Sequence, residues 1–207
     1  MTFFRRNPAD KYKALQHVPQ KLPIDWDALV RATLAPGSER KFAALIHGVQ
    51  DKPELAKDAL ALAQATIRQS TDISRKRAGF AVINALIPDH PQLADTTMLN
   101  LVMTSLAAQK DYNTLQAFQV LIRNRPDLAE AAFRTACEKV GSRDTKTRRE
   151  GHSLLSQITA YCPALEKDGY KLAQVGADDI DKEVRQIAAI TKSAVPLHRR
   201  ALYVFAR

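Results

Sequence analysis

The stretch 111–128, DYNTLQAFQVLIRNRPDL, decides the fold. Leu115, Phe118 and Leu121 stand three residues apart, the spacing that puts side chains on one face of a helix. Pro126-Asp127-Leu128 closes that helix, because proline lacks the N–H that would continue it and suits the first turn of the next. Beyond the proline the apolar spacing resumes at Phe133 and Ala136. The segment therefore reads as one helix, a tight corner, and the start of a second amphipathic helix.

The same corner recurs at Pro53-Glu54-Leu55, Pro91-Gln92-Leu93 and Pro163-Ala164-Leu165, so successive prolines stand 38, 35 and 37 residues apart. Pro196-Leu197 follows 33 residues later as a degenerate fifth copy. Eight residues before the four prolines stand Leu45, Ile83, Phe118 and Leu155, and eleven before them Phe42, Phe80, Leu115 and His152. Five before are Leu86, Leu121 and Ile158, with Gly48 in the first copy. Seven residues after the prolines lie Leu60, Met98, Phe133 and Tyr170, and ten after lie Ala63, Leu101, Ala136 and Ala173. Eight after, Ala61, Leu99, Arg134 and Lys171 are expected to face outward. A recurring period of this length marks a row of supersecondary units, each unable to bury its apolar face alone.

Between units the chain is polar. Gly141 is placed to stop a helix, and Asp72, Asp144 and Asp181 are placed to cap the helix that follows each. Arg77-Ala78-Gly79 and Arg149-Glu150-Gly151 recur in register two units apart, which predicts close helix packing at the two glycines. The expectation is an all-α chain forming one structural unit. Residues 1–37 form an N-terminal helical extension, with helices from Asn7-Pro8 to Gln16 and near Trp26 to Leu34, and residues 38–207 form four to five helix hairpins.

Composition agrees with this reading. The 207 residues are 45% hydrophobic and 26% charged, which excludes a disordered, collagenous or disulfide-stapled chain. Lys and Arg number 31 against 22 Asp and Glu, a net charge of +9 that suits an anionic partner and also aids solubility. No run approaches the ~20 uncharged apolar residues of a membrane span, and Arg5, Arg6, Lys11 and Lys13 are followed by no apolar signal core, so the expected address is the cytoplasm. Cys137 and Cys162 form no C-x-x-C pair and read as buried reduced thiols. Seven glycines supply no phosphate loop, the five histidines make no metal or catalytic pairing, and no cofactor or metal is expected. His152 holds a register position that is otherwise apolar, which predicts a structural role.

Hairpins with this period and a corner proline resemble the HEAT and armadillo-like repeats over roughly Glu39 to Leu197. In HEAT repeats an Asp followed by Val-Arg or similar opens the first helix of each unit. Here Asp72 precedes Arg77 and Asp144 precedes Arg149, each by five residues, and Asp181 precedes Val184-Arg185. Asp111-Tyr112 carries no arginine, and the first unit has Glu39-Arg40-Lys41. The tetratricopeptide repeat is the rival reading, sharing the helix-ending proline and a similar period. The HEAT-like resemblance implies a right-handed α-solenoid, without enzymatic activity, acting as a protein-binding adaptor or scaffold. It also carries two alternatives: a nucleic-acid-binding solenoid, and a DNA glycosylase for alkylated bases. The glycosylases rely on aromatic and acidic groove residues, whereas Trp26 precedes the repeats here.

The unit junctions hold twelve cations and eight acids. Arg75, Lys76 and Arg77 at one junction and Lys146, Arg148 and Arg149 at another are the candidate binding residues, spaced to bridge a phosphate backbone. The competing expectation is a ladder of Asp–Arg pairs between units, with Arg149 at the ladder position and Arg148 freer. The apolar end of the chain, Leu202 to Phe205, is expected to cap the last hairpin, the alternative being a helix exposed for a partner or a membrane surface.

Overall fold

The computed structural model describes residues 39–108 and 111–196, which form nine α-helices and no strand. In chain order these are α1 (Glu39–Asp51), α2 (Ala56–Gln69), α3 (Ile73–Leu86), α4 (Thr96–Ala108), α5 (Tyr112–Asn124), α6 (Pro126–Val140), α7 (Thr145–Tyr161), α8 (Glu166–Gly176) and α9 (Lys182–Ala194). The expected N-terminal extension and the apolar run after Pro196 lie outside the described residues. No described helix is long and apolar enough to cross a membrane.

Every corner proline of the described units sits where a helix must stop and restart. Pro53, Pro91 and Pro163 each open a one-turn 3-10 helix, while Pro126 opens α6 directly. The difference lies in which amides the carbonyl before the proline accepts from. At Pro126 the Arg125 carbonyl accepts from both Leu128 N and Ala129 N at 3.1 Å, so the first α-turn is already closed. In the second unit the helix restarts later, at Thr96, and Asp95 Oδ1 accepts from Met98 N at 2.7 Å. Leu99 is buried, not outward-facing as the register suggests, because α4 is apolar on more than one face: Met98, Leu99 and Val102 are all buried.

The first helices of the units make one connected row, because α1 touches α3, α3 touches α5, α5 touches α7 and α7 touches α9. Among the second helices, α2 touches α4 and α4 touches α6. The second helix of each unit also packs on the first helix of the next, in the pairs α2–α3, α4–α5, α6–α7 and α8–α9. The periodic residues form the core of this arrangement. Leu45, Ile83, Phe118 and Leu155 are all 0% exposed, and Leu60, Met98 and Tyr170 are buried. Phe133, Leu115 and Leu101 are only half-buried, packed against the edge of the core.

The two in-register glycines are close-approach points. A Cβ at Gly151 of α7 would stand 2.7 Å from the backbone nitrogen of Val140 in α6, and one at Gly79 of α3 would stand 2.8 Å from Ile67 Cγ1 and 3.0 Å from the Ala63 carbonyl in α2. Helix backbones of consecutive units therefore meet where the sequence omits a side chain.

Candidate functional site

The junction edge is built on four aspartates. Asp72 accepts from Ser74 N at 2.8 Å, Asp111 from Asn113 N at 3.0 Å, Asp144 from Thr147 N at 2.7 Å and Asp181 from Val184 N at 3.0 Å. Each satisfies an amide at the start of the first helix of its unit, α3, α5, α7 or α9. Asp111 does so although no arginine follows it at the spacing seen after Asp72 and Asp144, because capping needs only the carboxylate.

Four residues after two of these caps stands an arginine that folds back on its own loop. Arg148 Nη1 donates to the carbonyls of Ser142 and Arg143 at 3.3 and 2.9 Å, and Arg185 Nη1 donates to those of Asp179 and Ile180 at 2.7 and 2.9 Å. Both pairs of carbonyls belong to the two residues before the capping aspartate. The Asp-x-x-x-Arg spacing is thus a clamp: the aspartate holds helix amides while the arginine holds the carbonyls of the incoming loop.

Between units the edge is a ladder. Arg149 is bidentate on Asp181 at 2.9 and 2.6 Å and reaches Glu183 at 2.8 Å; two units earlier, in register, Arg77 lies 3.8 Å from Asp111. Tyr112 occupies the corresponding place in the unit between and is 75% exposed. Arg148 departs from its expected freedom. Its Nε and Nη2 hold Asp179 at 2.8 and 3.1 Å, and its side chain is 13% exposed against 38% for Arg149. The hydrogen bond from Arg148 holds Asp179 below the usual carboxylate range, and the one from Arg149 holds Asp181 far below it. Among the other candidates, Arg75 and Lys76 are half-buried and Lys146 is exposed. The structure thus brings Arg148 and Arg149 together on one junction, both bound to carboxylates of the next.

A second set of ties was not legible as chemistry. Asn84 Nδ2 donates to the Asn113 carbonyl at 3.2 Å and Gln116 Oε1 at 3.3 Å, and Gln119 Nε2 donates to Gln157 Oε1 at 3.0 Å. Asn84 and Gln119 both stand seven residues before a corner proline. Their shared offset was the available signal. On the corner side, Arg125 donates to the carbonyls of Pro91 and Ala94 in the preceding unit and is bidentate on Asp127 at 2.8 and 2.7 Å.

His152 is 1% exposed, with Nδ1 buried and unpartnered, and its ring lies so close over Gly176 that no side chain fits there. Burial pushes its pKa down; Asp179 acts against this and Arg148 with it. Burial pushes the Cys162 thiol up to about 11 and raises that of Cys137; both are free. Among the described residues no cluster of His, Cys, Asp and Glu has the arrangement of a metal site.

Behind the junction at Asp144 lies a cleft of about 550 Å³ between α4, α6 and α7. Met103, Leu106 and Leu154 contribute its apolar wall. Lys146, Arg149 and the Lys139–Glu150 pair, closed at 2.6 Å, also line it. No known protein family, curated protein or solved structure significantly matches this chain.

Proposed function

We propose that the described helices belong to a HEAT-like α-solenoid that works as a non-enzymatic scaffold for other proteins. The contact pattern supports the solenoid: a row of first helices in sequence order, with each unit's second helix packed on the next unit. One observation carries the choice of partner. The guanidinium of Arg148 spends its donors on Ser142, Arg143, Thr145 and Asp179, and Arg149 holds Asp181 and Glu183. A phosphate backbone would have to displace those carboxylates, whereas a protein partner docks on the remaining solenoid surface and leaves them in place.

Affinity purification with and without nuclease tests this reading, combined with a salt titration of duplex DNA and RNA binding. A scaffold retains defined protein partners after nuclease treatment and binds nucleic acid weakly. Loss of all partners to nuclease, together with steeply salt-dependent binding that Arg148→Glu abolishes in folded protein, would establish the nucleic-acid alternative instead.

A further inference from the structure

The cleft between α4, α6 and α7 has a chemistry of its own, apart from whatever docks on the solenoid surface. Leu106 and Leu154 are nearly fully buried and face it together with half-buried Met103. Its volume of about 550 Å³ falls within the range of small-molecule sites. A cleft of that volume, walled by three helices, suits a small molecule.

Charge narrows the class further. Among the described lining residues, Lys139, Lys146 and Arg149 stand against one acid, Glu150. Lys139 neutralises Glu150 at 2.6 Å, and Arg149 is turned to Asp181 and Glu183. Lys146 is exposed, two residues after Asp144; it attracts that carboxylate at a distance, while the carboxylate's hydrogen bonds come from the Thr147 amide and hydroxyl. An apolar wall beside an exposed ammonium is complementary to a molecule with an alkyl chain and an anionic head.

We propose that this cleft binds single-chain anionic amphiphiles, with the chain against Met103, Leu106 and Leu154 and the head at Lys146. Dodecanoate, used below its micellar concentration, is the probe, and calorimetry with amide chemical-shift mapping on the full chain is the measurement. Saturable one-to-one binding with shifts centred on α4, α6 and α7 is expected. Thr104→Trp fills the cleft from an exposed position on its lining and should weaken binding at least about tenfold. Lys146→Glu should weaken it about fivefold and reverse the preference for dodecanoate over dodecyltrimethylammonium. Unchanged melting temperatures in both variants certify the fold, and Ala107→Trp replaces Thr104→Trp should that variant misfold. Absence of saturable binding, or binding indifferent to the tryptophan, overturns the site. Equal affinity for the cationic probe, unaffected by Lys146→Glu, overturns the anionic class.

Discussion

At the scale of single residues, the depth of burial ranks the periodic positions more finely than their spacing does. Phe118 is 0% exposed, so Phe118→Ala should cost about 3–5 kcal/mol in urea denaturation. Phe133, in the equivalent stripe of α6, is half-buried, and its truncation should cost clearly less; equal losses would contradict the packing. His152 makes a pH-dependent contribution of definite sign. The ring is buried with its pKa lowered by desolvation, while an unfolded histidine takes a proton near pH 6.5. The unfolded state therefore binds more protons below about pH 6.5, and stability falls as pH drops through that window toward the lower folded pKa. His152→Leu, matching Leu115 of the preceding unit, should remove this phase. An identical fall in the urea midpoint between about pH 7.5 and 5.5 in both proteins would show that other groups cause it.

At the scale of elements, the helix pairs α2–α3 and α6–α7 depend on glycines that the corner motif does not require. Gly151→Ala drives a methyl into the backbone of Val140 and should cost about 1–3 kcal/mol. Gly79→Ala meets Ile67 Cγ1 at 2.8 Å and one backbone atom, the Ala63 carbonyl, at 3.0 Å, against two backbone atoms within 2.9 Å at Gly151, so it should cost less. Gly141 provides the contrast. It ends α6 in right-handed helical geometry at φ −76°, with nothing nearer to an added Cβ than 3.7 Å, so it is not the left-handed stop that glycine usually marks. Gly141→Ala should leave stability unchanged or raise it by up to about 1 kcal/mol. Thermal or urea denaturation of the three alanine variants checks the order, and a Gly141 variant weaker than the Gly151 one would refute it.

At the scale of the whole molecule, the junction edge behaves as a coupled set of carboxylates. Asp179 and Asp181 have folded pKa values lowered chiefly by hydrogen bonds from Arg148 and Arg149, so their contribution is complete above the unfolded value near 4 and is lost as pH falls through the folded values. Acid unfolding should therefore have a second phase below about pH 4, distinct from that of His152. Arg148→Glu should weaken both this phase and the folded state more than Arg149→Glu does, because Arg148 is the less exposed and also clamps its own loop. Fluorescence-monitored acid titration of both variants distinguishes them, and a fully stable Arg148→Glu protein would refute the clamp. At the far end of the proposed solenoid, Val175 and Ile190 are 68% and 60% exposed. Removing residues 197–207 should lower the melting temperature if those residues cap the last hairpin; no change would exclude that role.

The sequence by itself determined the helices and their corners, because proline geometry and a three-residue apolar spacing are local properties of the chain. It also located the close approaches at Gly79 and Gly151, since a missing Cβ in register has few other uses. What it left open between Arg148 and Arg149 was a matter of direction: both are arginines at a junction, and only the folded chain decides which carboxylates fall within reach of which guanidinium. The second unit shows the same limit, because Leu99 is buried beside Met98 although the proline period places it outward. The cleft is tertiary throughout. Its walls come from three helices of three different units, and no spacing along one chain encodes a gap between them.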